Sequence, residues 1–228
     1  MSTSVQAIGT LAPQPREELK RLFTGLEAAA LFACALLYIW RWQHTHPRLW
    51  IAFLPVLAVS HLLHRDTLGG LGLGRINMGA NARLALPIML ALYIPMVIFG
   101  LASGRLQLLW PGPASALYFL SYGSWCLTQQ YLTQSYFHNR LMRTIRNRHV
   151  SSAVVALMFG AAHIPNPALM VATTIAGFIF SEIFARYRNI WPLALAQTVG
   201  GFLVAALTPA WLIHNMRVGP GYFFWGIH

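Results

Sequence analysis

The sequence predicts an all-α, polytopic integral membrane bundle of about seven or eight transmembrane helices, and three observations carry that expectation. Hydrophobic residues make up 57% of the 228 positions and charged residues only 9%, with a mean hydropathy of +0.54, far from soluble averages. Long apolar runs recur along the chain, each of a length that suits a helix crossing a bilayer. The formal net charge of +11 lies between those runs rather than on one soluble face, which excludes a nucleic-acid partner and fits positive-inside asymmetry.

The elements follow in chain order. Residues 1–24 read as a polar cytoplasmic or interfacial segment, in which EELKRLF forms a short amphipathic helix with Lys20 and Arg21 toward anionic headgroups. It lacks the features of a cleaved secretory signal and is expected to be retained. Spans are expected at about 25–42, 49–64, 84–101, 114–132, 151–164, 168–187 and 190–207. Glu27, near the start of the first, reads as a solvated helix end, and His61 and His64 as an interfacial pair closing the second. The glycine-rich stretch TLGGLGLGRINMGAN lacks the preceding strand and closing lysine of a phosphate loop and reads as a flexible connection. Pro87 and Pro95 are expected to kink the third span, and Pro111 and Pro113 to start the fourth. Pro165 and Pro167 should stop the fifth just after His163. The tail from Pro209 to His228 is aromatic enough for the interface or a short eighth segment.

With the amino terminus cytoplasmic, Arg16, Lys20, Arg21, Arg65, Arg75, Arg83, Arg140, Arg143, Arg146, Arg148, Arg186 and Arg188 fall on the cytoplasmic side. Arg41, Arg48, Arg105 and Arg217 fall opposite, an asymmetry that supports this orientation in a bacterial inner membrane. Cys34 and Cys126 both lie in apolar runs and read as packing residues. No repeat or linker divides the chain, so residues 1–228 are expected to form one membrane domain, with core helices over 114–207.

Three stretches place polar residues inside otherwise apolar helices: TQQYLTQSYFHNRL, LMFGAAHIPNP and NIWPLALAQTVGG. Intramembrane polar groups are costly unless they serve a cavity or a partner. Their order and spacing resemble the CPBP family (CAAX proteases and bacteriocin-processing enzymes, also called Abi). Its members carry Glu-Glu-x-x-x-Arg on one helix, Phe-x-x-x-His on the next and His-x-x-x-Asn further on. Here Gln129 and Gln130 stand at the two glutamates, Gln134 at the arginine, Gln197 at the second histidine and Gly201 at the asparagine. Phe159 and His163 keep the pattern. The resemblance implies an intramembrane endopeptidase in which a glutamate and a histidine activate water while the second histidine and the asparagine stabilise the oxyanion.

A carboxamide cannot accept and return a proton as a carboxylate does, and Gly201 has no side chain to donate. No confident catalytic residue is therefore assigned. The expected function is that of a catalytically impaired homologue acting as a binding or assembly subunit of a membrane protein complex. Gln129, Gln130, Gln134, His163, Asn166 and Gln197 would form a neutral network across three helices. Membrane lipids, complex partners and a peptide or isoprenoid-like ligand are the expected partners, and no cofactor is expected. Glutamine is a poor metal ligand, which leaves His138 and His163 as the weak metal candidates. Glu182 is expected to pair with Arg186 one turn on. Two alternatives stay open: an active endopeptidase using His163 or Glu182 as base on prenylated or membrane-anchored peptides, and a pigment- or haem-binding subunit using His61 or His163.

Overall fold

A computed structural model describes residues 15–104 and 113–224. Residues 1–14, Arg105, Pro111 and the last four residues, on which parts of the sequence reading fall, lie outside them. Helix α1 runs over Pro15–Leu37 and continues as a π-helical segment over Tyr38–Trp42. A 3-10 segment, Pro47–Ala52, leads into α2, Phe53–Leu63. There follow α3 (Met78–Ala102) and α4 (Pro113–Gln130), a π-helical segment over Tyr131–His138, and α5 (Asn139–Thr144). Helices α6 (Arg148–Ala161), α7 (Pro167–Arg186), α8 (Trp191–Leu207) and the short α9 (Ala210–Ile213) complete the order.

The protein is an all-α membrane bundle. Among the described residues three helical stretches are long and apolar enough to cross a bilayer, Pro15–Trp42, Met78–Ala102 and Pro167–Arg186, while Pro47–Leu63, Arg148–Ala161 and Trp191–Leu207 are shorter apolar helices. Large apolar side chains face outward, among them Leu62 at 76% and Leu117 at 72% exposure, as lipid contact requires.

Two expectations about the amino-terminal half need correction. The amphipathic run at Glu17–Phe23 is not a separate interfacial helix; it is the first part of α1, which runs on without a break. The glycine-rich stretch is not a slack connection. Its carbonyls are used one after another: Asn139 and Arg188 donate to Gly70 O (3.0 and 3.1 Å), Ser135 to Leu71 O, and the Ile190 amide to Gly72 O. Trp191 donates to Leu73 O, and Asn189 to Gly74 O and Ile76 O. Gly72 sits at φ +72°, and a Cβ there would stand 2.7 Å from Phe184 and 3.1 Å from the Asn189 nitrogen, so only glycine lets this loop lie against the α7–α8 turn.

Side-chain caps set two helix starts. Asn147 accepts from the His149 and Val150 amides at the head of α6, and Asn166 from the Leu169 amide at the head of α7. Helix α6 ends at Ala161, so His163 sits in the following turn, with a cis Ile164–Pro165 bond behind it. Helices α6 and α7 form the most extensive pair, and small residues bring their backbones together. A Cβ on Gly160 would lie 2.0 Å from Thr174 Oγ1, and one on Gly177 would lie 3.2 Å from Ala156 Cα.

Gly160→Ala is therefore expected to cost about 1–3 kcal/mol by overpacking. Part of that should return in Gly160→Ala/Thr174→Ala, read as unfolding midpoints in detergent.

Candidate functional site

The π-helical segment Tyr131–His138 separates three sets of polar side chains that a regular helix would stack differently. Each extra residue per turn rotates the later positions. The first set lies at its start, where α4 meets α8. Gln130 is fully buried and donates through Nε2 to Gln197 Oε1 at 2.6 Å. Gln197 in turn donates through Nε2 to Gln129 Oε1 at 2.5 Å. Three amides thus form a chain across two helices, and the Gln130 Oε1 acceptor is buried with no partner among the described residues.

One turn along α8, a side chain at Gly201 has no room. A Cβ there would stand 2.0 Å from the Tyr122 hydroxyl and 2.7 Å from its Cζ. Tyr93 does the same at Gly200, with its hydroxyl 2.6 Å from the Cβ position and donating to Ala196 O. Tyrosines from α3 and α4 fill this stretch of α8.

The second set lies at the middle and end of the segment. Gln134 is 1% exposed, and His138, Ser152 and Ser181 are fully buried. Ser181 donates to Gln134 Oε1 at 3.1 Å, His138 Nδ1 lies 3.2 Å from the same oxygen, and His138 Nε2 lies 3.3 Å from Ser152 Oγ. An amide oxygen only accepts, so His138 carries its proton on Nδ1 and takes the Ser152 hydroxyl at Nε2. This set joins the π segment to α6 and α7. His163 stands apart: Nδ1 donates to Phe159 O at 2.7 Å and its ring meets that of Phe159 edge-on at 5.1 Å. The bond leaves Nε2 as the basic nitrogen. Asn166 is spent on structure, capping α7 and donating to Ile213 O and Arg217 O. The six residues expected in one network therefore fall into separate sets, and only the Gln129–Gln197–Gln130 chain is continuous. His138 and His163 belong to different sets, and among the described residues no group of three or more His, Cys, Asp or Glu side chains could hold a metal ion.

The third set is ionic, and sequence reasoning missed it. Arg140 is fully buried rather than exposed at a helix end. It reaches Asp66 at 2.8 Å, Glu27 at 3.5 Å and Ser60 Oγ at 2.8 Å, and stacks over the Tyr136 ring at 5.0 Å. Glu27, read as a solvated helix end, also accepts from Ser60, from Tyr136 and from His64 at 2.7 Å. Asp66 accepts from Arg143 and pairs with His61 Nδ1 at 2.7 Å, while His61 Nε2 meets the Tyr131 hydroxyl at 2.7 Å. The signal available in the sequence was scarcity. Only five acidic residues occur in the chain, and three of them, Glu27, Asp66 and Glu182, lie in or beside spans. Glu182 also departs from expectation, pairing with His149 (3.0 Å) and Arg148 (3.7 Å) rather than with Arg186.

Burial raises the Asp66 carboxyl, but hydrogen bonds from His61, Arg140 and Arg143 outweigh it and hold the group at about 2. A depressed folded value contributes stability that is complete above the unfolded carboxylate value near 4 and is lost as pH falls through about 2. Unfolding midpoints should therefore drop between about pH 4 and pH 2. Asp66→Asn should flatten that limb and cost about 3 kcal/mol at neutral pH by leaving a buried guanidinium short of a carboxylate.

A family model described as Rce1-like (type II CAAX prenyl endopeptidase Rce1-like) matches residues 117–203. That range takes in most of α4, the π segment, α5 to α7 and most of α8. No curated protein and no solved structure matches the chain.

Proposed function

Because residues 117–203 carry an Rce1-like core of the CAAX-endopeptidase type within a membrane helix bundle, we propose that this protein is a catalytically impaired member of that protease group. On this reading it serves as a binding or assembly subunit of a membrane complex. The observation that carries the reading is the amide chain Gln129–Gln197–Gln130, lying where the resemblance puts a general base and an oxyanion donor. Water activation needs a group that takes a proton and gives it back. Carboxamides supply only hydrogen bonds, and these are directed at one another. The Tyr122 ring lies against Gly201 where an asparagine side chain would stand, which favours a filled site over a waiting one.

Such a core still recognises. The Gln130 Oε1 acceptor, buried and without a partner among the described residues, remains open to an N–H or O–H donor. A separate apolar groove of about 330 Å³ between α1, α5 and α6, lined by Ala28, Phe32, Leu141, Val154 and Met158 among others, is shaped for a hydrocarbon chain or a partner helix.

Purified protein should leave a quenched CAAX-type peptide intact, while mild-detergent isolation should bring down a stoichiometric membrane partner. Cleavage that vanishes in His163→Ala would overturn the proposal. Gln130→Glu/Gln197→His should stay inactive, because Tyr122 occupies the space at residue 201. In the same series, Gly201→Ala should cost about 1–3 kcal/mol and should be largely relieved when combined with Tyr122→Ala.

A further inference from the structure

The ionic set contains an arrangement that the amide site does not explain. Asp66, 2% exposed at its side chain, is tied to Arg140 and Arg143 and accepts from His61 Nδ1 at 2.7 Å. A carboxylate held by two guanidiniums is ionised and only accepts, so the His61 proton sits on Nδ1. His61 Nε2 then presents its lone pair to the Tyr131 hydroxyl at 2.7 Å. Nucleophile, base and orienting acid stand in hydrogen-bond sequence on three elements: the π segment, α2 and the loop after α2. Tyr131 follows Gln130 in the chain but keeps partial exposure, unlike the fully buried Ser152–His138 pair.

We propose that Tyr131 is a nucleophilic tyrosine, with His61 as its general base and Asp66 as the positioning residue, and that it takes acyl groups from thioesters carrying apolar chains. In the first step the Tyr131 proton passes to His61 Nε2, the phenolic oxygen bonds to the acyl carbon, and the carbon–sulfur bond breaks. The departing sulfur collects the proton from His61. In the second step His61 takes a proton from water, which attacks the acyl carbon; the bond to Tyr131 breaks, the acid leaves, and the phenolic oxygen regains the proton.

Leaving-group chemistry selects the substrate class. A thiol titrates near 8.5 and a phenol near 10, so the tetrahedral adduct expels sulfur ahead of the tyrosine. An amide adduct would expel the tyrosine first, which separates this chemistry from peptide cleavage. The apolar chain follows from setting: Tyr131 packs against both hydrophobic clusters of the bundle. The proposal does not rest on the state of the amide chain, and failure of either reading leaves the other standing.

The test uses the full chain in detergent with the octanoyl thioester of N-acetylcysteamine, following thiol release and, after acid quench, acyl-tyrosine by peptide mapping. Thiol release should fall to background in Tyr131→Phe, which removes only the hydroxyl, and by about 100-fold in His61→Gln. Since His61→Gln could perturb folding, a second measurement uses unmodified protein alone. Phenylmethanesulfonyl fluoride should modify Tyr131 at least about 10-fold faster than Tyr118, which is 45% exposed. Equal thiol release in Tyr131→Phe, or sulfonylation of Tyr131 no faster than of Tyr118, overturns the proposal.

Discussion

Burying the guanidinium of Arg140 sets the terms for the rest of the bundle. Removing such a charge from water costs several kcal/mol even after relaxation, and only well-placed counter-charge and hydrogen bonds recover it. In a chain with five acidic residues, two carboxylates are committed to this one site, Glu27 from α1 and Asp66 from the loop after α2. Ser60 and the face of Tyr136 complete the shell. The sequence-distant α1 and α2 are thereby fixed against α5, and the glycine-rich loop is brought to where Asn139 and Arg188 take its carbonyls. Around Gln130 and Gln134, by contrast, polar contacts are uncharged: amide to amide, imidazole to amide, hydroxyl to amide. This is the distribution expected where buried ions are costly and neutral donors are tolerated.

The broad architecture was legible because its signals are local. Apolar run length located the helices from 47 to 63, 167 to 186 and 191 to 207 to within two residues and the end of the one from 78 to 102, which begins six residues earlier than its apolar run, and Pro165 and Pro167 marked a stop. The pairing of Gln129, Gln130 and Gln197 followed from motif spacing. What stayed hidden depends on contacts far apart in sequence. A charge run containing Arg140 looks the same whether the side chain meets water or two carboxylates more than 70 residues away. The π segment leaves no periodic trace, since one residue added per turn blurs the 3.6-residue pattern without creating another. Tyr122 had no motif of its own. Its meaning comes only from the glycine opposite it.

Two readings of polar residues in lipid meet in this molecule. In one, amides hold helices together, and the Gln129–Gln197–Gln130 chain does so between α4 and α8. In the other, acid and base are kept in register for proton transfer, and Asp66, His61 and Tyr131 have that order. The same helical segment serves both, because Gln130 and Tyr131, adjacent in sequence, point to different neighbours.

The glycine-rich loop holds its place almost wholly through main-chain oxygens. Anchorage of that kind is indifferent to side-chain identity except at Gly72, where the backbone conformation itself is demanded. Gly69 has nothing within 4 Å of where a Cβ would be. A cysteine placed there would carry a fluorophore on the exposed side of the loop while leaving its fastening untouched, giving the loop's position an optical reporter.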